Sequence, residues 1–245
     1  MKKERNPDKE LELMDHLGEL RGRLLRSIVA VVVGMLVAWV FFDQLYALLL
    51  RPAIDVLSKT GMKFLQTTFV QGFTLRMQVS LIGGLILAAP FWTTELWLFI
   101  APGLTKQERK ALYFVAPLSI ALFALGVFLC FIAMPRALDW FVSLAPPNTE
   151  LRPDVARTLV FFVQMYLAFG LMFELPIVMM FFAKIGLVNT RLMIRFWREA
   201  TVVIAVGAAV MTPSNDAFTM MMMAVPMVIL YFLSISLVRM VESRG

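Results

Sequence analysis

Charge is scarce in this chain. Of 245 residues only 16% are Asp, Glu, Lys or Arg, where an ordinary soluble domain carries about 25%. Hydrophobic residues make up 60%, more than a soluble globule could hide, so lipid is the solvent for most of the chain. Cysteine occurs once: Cys130 cannot form an intramolecular disulfide and, inside an apolar run, reads as a small packing residue. A single histidine, His16, and no paired cysteines exclude the usual zinc and haem arrangements, so no metal or cofactor is expected. Walker and dinucleotide glycine motifs are missing. No apolar run holds an aspartate in its interior, and the one histidine lies outside them all, which removes the groups intramembrane proteolysis needs. The sequence therefore predicts no enzyme. The net charge of +6 is spread over the ends of apolar segments instead of forming one patch, which favours lipid headgroups over nucleic acid.

What is present is a succession of apolar runs. They predict spans at about 24–42, 77–100, 112–134, 158–183, 196–211 and 217–238. Six spans at about 20 residues each leave too little for a second domain, so 1–245 reads as one all-α, polytopic membrane domain. A secretory signal peptide is the competing reading of the first run. Six acids in the leading segment, the length of the run and the missing small-x-small cleavage site favour a permanent helix. With alternating spans, sixteen Lys and Arg residues fall on the side of the termini and seven on the other, which predicts both termini in the cytoplasm. The last two spans are expected to be short, and a re-entrant hairpin is the alternative for them. The 43–75 and 135–157 loops are expected to pack as short helices and caps over the outer face.

Several residues stand out as chemistry. In the 1–23 segment, Asn6-Pro7 reads as a helix start, and Leu13, Leu17, Leu20 and Leu24 form one stripe of an amphipathic helix at the membrane surface. Glu19 lies four residues before Arg23, a spacing that suits an ordinary helical ion pair. Pro102 stops the chain after the second span, and Thr105 to Glu108 fits a capping box. Yet Glu19 and Glu108 share the cytoplasmic end, where two carboxylates suit a pair of arginines, because guanidinium binds carboxylate through two parallel hydrogen bonds. Glu174 lies deep in the fourth run, at a cost of about 2.5–3.5 kcal/mol for a charge, and so calls for a partner, a cavity or a proton. Pro176 behind it predicts a kink. Glu95 reads as an interfacial carboxylate beside an aromatic belt, Asp216 as a turn or cap residue, and Met220 to Met223 as adaptable packing.

His16-Leu17-Gly18-Glu19-Leu20-Arg21, Phe99-Ile100-Ala101-Pro102-Gly103-Leu104 with Lys106 and Glu108, Phe173-Glu174-Leu175-Pro176, and Thr212-Pro213-Ser214-Asn215-Asp216 occur in order along nearly the whole chain. Together they closely resemble the TatC family, the receptor subunit of the twin-arginine protein translocase. The resemblance implies a cup-shaped bundle of six helices in the bacterial inner membrane. It implies that Glu19 and Glu108 contact the paired arginines of signal peptides on folded cargo, with Arg21, Phe99, Pro102 and Lys106 shaping the surface. Glu174, followed by Pro176, would meet single-span partners of the TatA and TatB type, and self-association in a multimeric complex is implied too. Pro52 and Asp216 match other positions the family treats as functional. Gln107 and Gly103 depart from the usual residues, and the turn before Asp216 is one residue longer than in some relatives. Export would draw on the proton motive force. The alternative from another class is a proton-coupled secondary transporter using Glu174.

Overall fold

Long apolar stretches with no water to satisfy their backbones must close their hydrogen bonds within each segment, so the chain becomes helix almost throughout. The computed structural model describes residues 7–60, 64–100, 106–146, 152–212 and 216–242, without the side chains of 7–17, 59–60, 106–114 and 241. Ten helices follow in order among the described residues: α1 Pro7–Val40, α2 Phe42–Thr60, α3 Gln71–Leu87, α4 Ala89–Ile100, α5 Lys106–Ser143, α6 Val155–Met172, α7 Leu175–Lys184, α8 Thr190–Arg195, α9 Trp197–Met211 and α10 Ala217–Glu242. Among the described residues four stretches are long and apolar enough to cross a membrane: Gly18–Val40, Val115–Ser143, Val155–Lys184 and Ala217–Met240. The bent pair α3 and α4 makes a fifth if counted as one span.

The sequence predicts a span at about 77–100, and the structure builds that stretch as two helices, α3 and α4, bent by 52°. Pro90 is the cause, since it has no N–H to return to the Ile86 carbonyl. Beside it the Trp92 indole donates to the neighbouring Leu85 carbonyl at 2.9 Å. The prediction of a kink at Pro176 holds: α6 ends at Met172 and α7 restarts at Leu175, with Pro176 in its first turn. Of the last two helices, α9 is short as expected, its 15 residues covering about 22 Å. The second is not short. Beyond the apolar run, α10 continues to Glu242, whose carboxylate accepts hydrogen bonds from the Thr190 amide at 2.9 Å and hydroxyl at 2.5 Å. That tie gives the last turn of α10 a partner at the start of α8. Of the outer loops, 43–75 contributes α2, a full helix of 19 residues. Asp154 caps α6 by accepting from the Arg157 amide at 2.9 Å, and it also accepts from the Gln71 side chain at 2.7 Å.

Small residues set the helix spacing. A Cβ on Gly84 would lie 2.5 Å from the Met35 nitrogen, and one on Gly34 would lie 2.6 Å from the Gly84 carbonyl oxygen, so α1 and α3 touch backbone to backbone. Gly126 on α5 meets the Phe169 carbonyl and the Phe173 ring in the same way, while Gly170 on α6 takes the Phe123 ring. The core is centred on α6, where Leu159, Phe162, Met165 and Met172 are fully buried among Val79, Cys130, Met134 and Met223. By contrast α1 leaves Ile28, Val29, Val32, Val33 and Leu36 exposed, as a helix facing lipid does.

Candidate functional site

At one end of the bundle α1 and α4 pack together and bring four charged side chains into a single cluster. Arg23 donates to Glu19 Oε1 through Nη2 at 2.5 Å and Nε at 3.1 Å. Its remaining nitrogen, Nη1, reaches Glu95 Oε2 at 3.2 Å, and Arg26 Nε lies 3.1 Å from Glu95 Oε1. The ordinary reading of Glu19, a pair with Arg23 one turn away, is thus present, but it is part of something larger. Glu95 is the member that sequence reasoning missed. Burial orders the cluster: the Arg23 and Glu95 side chains are 16% and 19% exposed, whereas Glu19 is 35% exposed and forms the open edge. Chemically the cluster is a guanidinium site already holding a guanidinium.

Around it, Phe99 is half-buried one turn along α4 from Glu95, and Arg21 is exposed. Position 108 belongs to the first turn of α5, which starts six residues after the end of α4 and so lies at this same end of the bundle. The Lys106 and Glu108 side chains, and all of Pro102, lie outside the described residues, as does Thr105 of the capping box.

Glu174 occupies the break between α6 and α7. Its Oε2 accepts from the Ser119 hydroxyl in a short hydrogen bond, and Ser119 Oγ accepts from the Trp97 indole at 3.1 Å, giving a polar chain through α4 and α5 to the helix break. Oε1 is buried with no hydrogen-bond partner. An unpaired carboxyl oxygen in a membrane span is costly. Pro176 is buried at the start of α7 and leaves Met172 without its helical donor, which opens the break that Glu174 fills. Pro52 is buried inside α2, where it removes the amide that would pair with the Leu48 carbonyl. Asp216 accepts from the Thr219 amide at 2.8 Å and hydroxyl at 2.7 Å, the geometry of a helix cap at the start of α10. Of the four methionines, Met223 is fully buried and Met221 exposed, so they point around the helix instead of converging.

The family model described as "Sec-independent protein translocase protein (TatC)" matches residues 15–226. The chain belongs to the TatC family. A TatC of Desulforapulum autotrophicum is 38% identical over 222 residues, covering 90% of this chain and 82% of that one. A chloroplastic TatC of rice, Oryza sativa subsp. japonica, is 35% identical over 225 residues, 91% of this chain and 62% of its own. Among solved structures, the crystal structure of the twin arginine translocase receptor TatC in DDM superposes with a TM-score of 0.81 at 30% identity, over 91% of this chain and 98% of that one. The TatC proteins are components of a protein translocase and not enzymes. The chain is accordingly a multi-pass membrane protein of the twin-arginine system, which displaces the small-solute transporter as a reading of Glu174.

Proposed function

We propose that the chain is a receptor that captures twin-arginine signal peptides of folded proteins at its cytoplasmic face and scaffolds assembly of TatA- and TatB-type single-span partners. Both termini lie in the cytoplasm of a bacterium, six helices cross the inner membrane with α9 as the short one, and transport draws on the proton motive force. The observation that carries the reading is the grip on Arg23: Glu19 accepts from two nitrogens of one guanidinium and still leaves an open edge. An incoming arginine exchanges with Arg23 at Glu19, and Glu95 keeps the displaced guanidinium paired, so no charge is stranded. Glu108 takes the second arginine, with Arg21, Phe99, Pro102 and Lys106 as the surrounding surface. Lysine fits this exchange poorly, because its ammonium is a point donor where guanidinium forks. Glu174, with its free oxygen and the Pro176 break, serves the partner helices; Pro52 and Asp216 hold the outer face on which they seat.

The test is photo-crosslinking of an RR signal peptide to the protein in membranes. Glu19→Ala and Glu108→Ala are expected to lose most of the crosslink while the protein still inserts. Unchanged capture by both variants contradicts the docking scheme.

A further inference from the structure

Glu95 and Trp97 lie two residues apart on α4, so their side chains leave the helix about 200° apart around its axis. Glu95 faces α1, where it takes Arg23 at 3.2 Å and Arg26 at 3.1 Å. Trp97 faces the other way and is 3% exposed. Its ring meets Phe181 of α7 edge-on at 5.3 Å, and its indole N–H donates to Ser119 Oγ of α5 at 3.1 Å. An ion cluster and a buried hydrogen bond thus hold α4 on opposite sides. The helix has 12 residues and begins at the 52° bend, where Pro90 returns no hydrogen bond to α3. The indole also directs the Ser119 proton. A serine or threonine inside a helix commonly donates to the carbonyl four residues back, as Thr93 and Ser234 do here. Ser119 donates across to Glu174 Oε2 instead, while its own oxygen accepts from Trp97. That bond fixes the carboxyl in the break between α6 and α7 and leaves Oε1 buried, with no partner among the described residues.

We propose that Trp97 is a positioning residue for Glu174: through Ser119 it sets the carboxyl, and because it shares α4 with Glu95 it makes that setting depend on the ion cluster at the end of the bundle. A helix with its side chains is about 10–12 Å across, so a turn of about 20° moves a side-chain atom at its surface by about 2 Å. That is enough to break a hydrogen bond of 3.1 Å. Such a turn carries Glu95 and Trp97 together, since both ride on one short rigid element. The functional consequence rests on the receptor reading. When a signal arginine displaces Arg23 from Glu19, the guanidinium shifts onto Glu95, α4 turns, Trp97 withdraws from Ser119, and the Glu174 carboxyl is released to a partner helix.

The experiment measures how fast dicyclohexylcarbodiimide, an apolar reagent for carboxyl groups within membranes, labels Glu174 of the full-length protein in liposomes, with the adduct located by mass spectrometry. Trp97→Phe, Ser119→Ala, and benzothienylalanine in place of Trp97, which keeps the ring shape but has sulfur where the N–H was, are each expected to raise the rate about fivefold or more. Glu95→Gln, whose side chain touches neither Ser119 nor Glu174, is expected to raise it by a smaller factor. The double variant Glu95→Gln with Trp97→Phe should label no faster than Trp97→Phe alone, because both act through one path. Met134→Ala empties a fully buried site about 22 Å along α5 from Ser119 and should loosen the protein while leaving the rate at the parent level. All these rates are read without any signal peptide, so they test the tie itself even where RR capture at Glu19 fails. A parent-like rate in the benzothienylalanine protein or in Glu95→Gln, or an equal rise in Met134→Ala, overturns the proposal.

Discussion

Gly84→Ala is a small change with a large expected effect. The added methyl would sit 2.5 Å from the Met35 nitrogen, 2.7 Å from its Cα and 3.0 Å from the Gly34 carbonyl carbon, all of them backbone atoms that cannot turn aside. Ordinary contact needs about 3.5–4.0 Å, so α1 must retreat from α3 by about 1 Å. Overpacking of this kind costs about 1–3 kcal/mol, and here it falls on a backbone-to-backbone contact between these two helices. Gly207→Ala is the control: it adds a methyl to α9 with nothing within 4 Å and should gain about 0.5–1 kcal/mol from helix propensity alone. The assay is unfolding of the purified protein in mixed micelles with increasing SDS. Gly34→Ala strains the same contact from the other side, so the double variant should lose clearly less than the sum of the two single losses. A Gly84→Ala protein as stable as the parent, or strictly additive losses, would refute the backbone-contact reasoning.

Other predictions concern the polar groups. Ser119→Ala strips Glu174 Oε2 and the Trp97 indole of their shared partner and is expected to cost about 1–3 kcal/mol in the same SDS titration, with a shift in Trp97 fluorescence. Glu95→Gln leaves Arg23 to Glu19 alone; capture of an RR peptide should fall severalfold, and unchanged or stronger capture would deny Glu95 its holding role. Pro90→Ala restores a donor to Ile86 and should open the 52° bend, read as a longer spin-label distance between α1 and the end of α4. The Arg157 amide, followed by Gln71 and Thr67, holds the Asp154 carboxyl below the usual aspartate range. Because the folded value is depressed, the stability it contributes is complete above about pH 4 and is lost as the pH falls through the lowered value. The protection of the Arg157 amide against hydrogen exchange, taken relative to its intrinsic rate at each pH, should therefore fall at low pH in the parent and much less in Asp154→Asn.

Much of this architecture was legible in the sequence because lipid makes hydropathy an almost direct readout of helices. The runs near 24–42, 112–134 and 217–238 each became a helix, and Pro176 announced the break it causes. What escaped was set by tertiary geometry. Glu95 looked like an interfacial carboxylate because nothing local shows that α1 brings Arg23 and Arg26 across to it. The bend at Ala88 depends on Pro90, one proline inside a long apolar run whose average hides it. The length of α10 rests on a bond from Glu242 to Thr190, 52 positions apart.

The central claim is that one end of the bundle discriminates guanidinium from ammonium through Glu19. Its most direct measurement is the equilibrium affinity of the protein in nanodiscs for two signal peptides that differ only in RR against KK. RR should bind about tenfold or more tightly, and Glu19→Gln should bring RR down to the level of KK. Equal binding of RR and KK to the unaltered protein, or an RR preference that persists in Glu19→Gln, would contradict it.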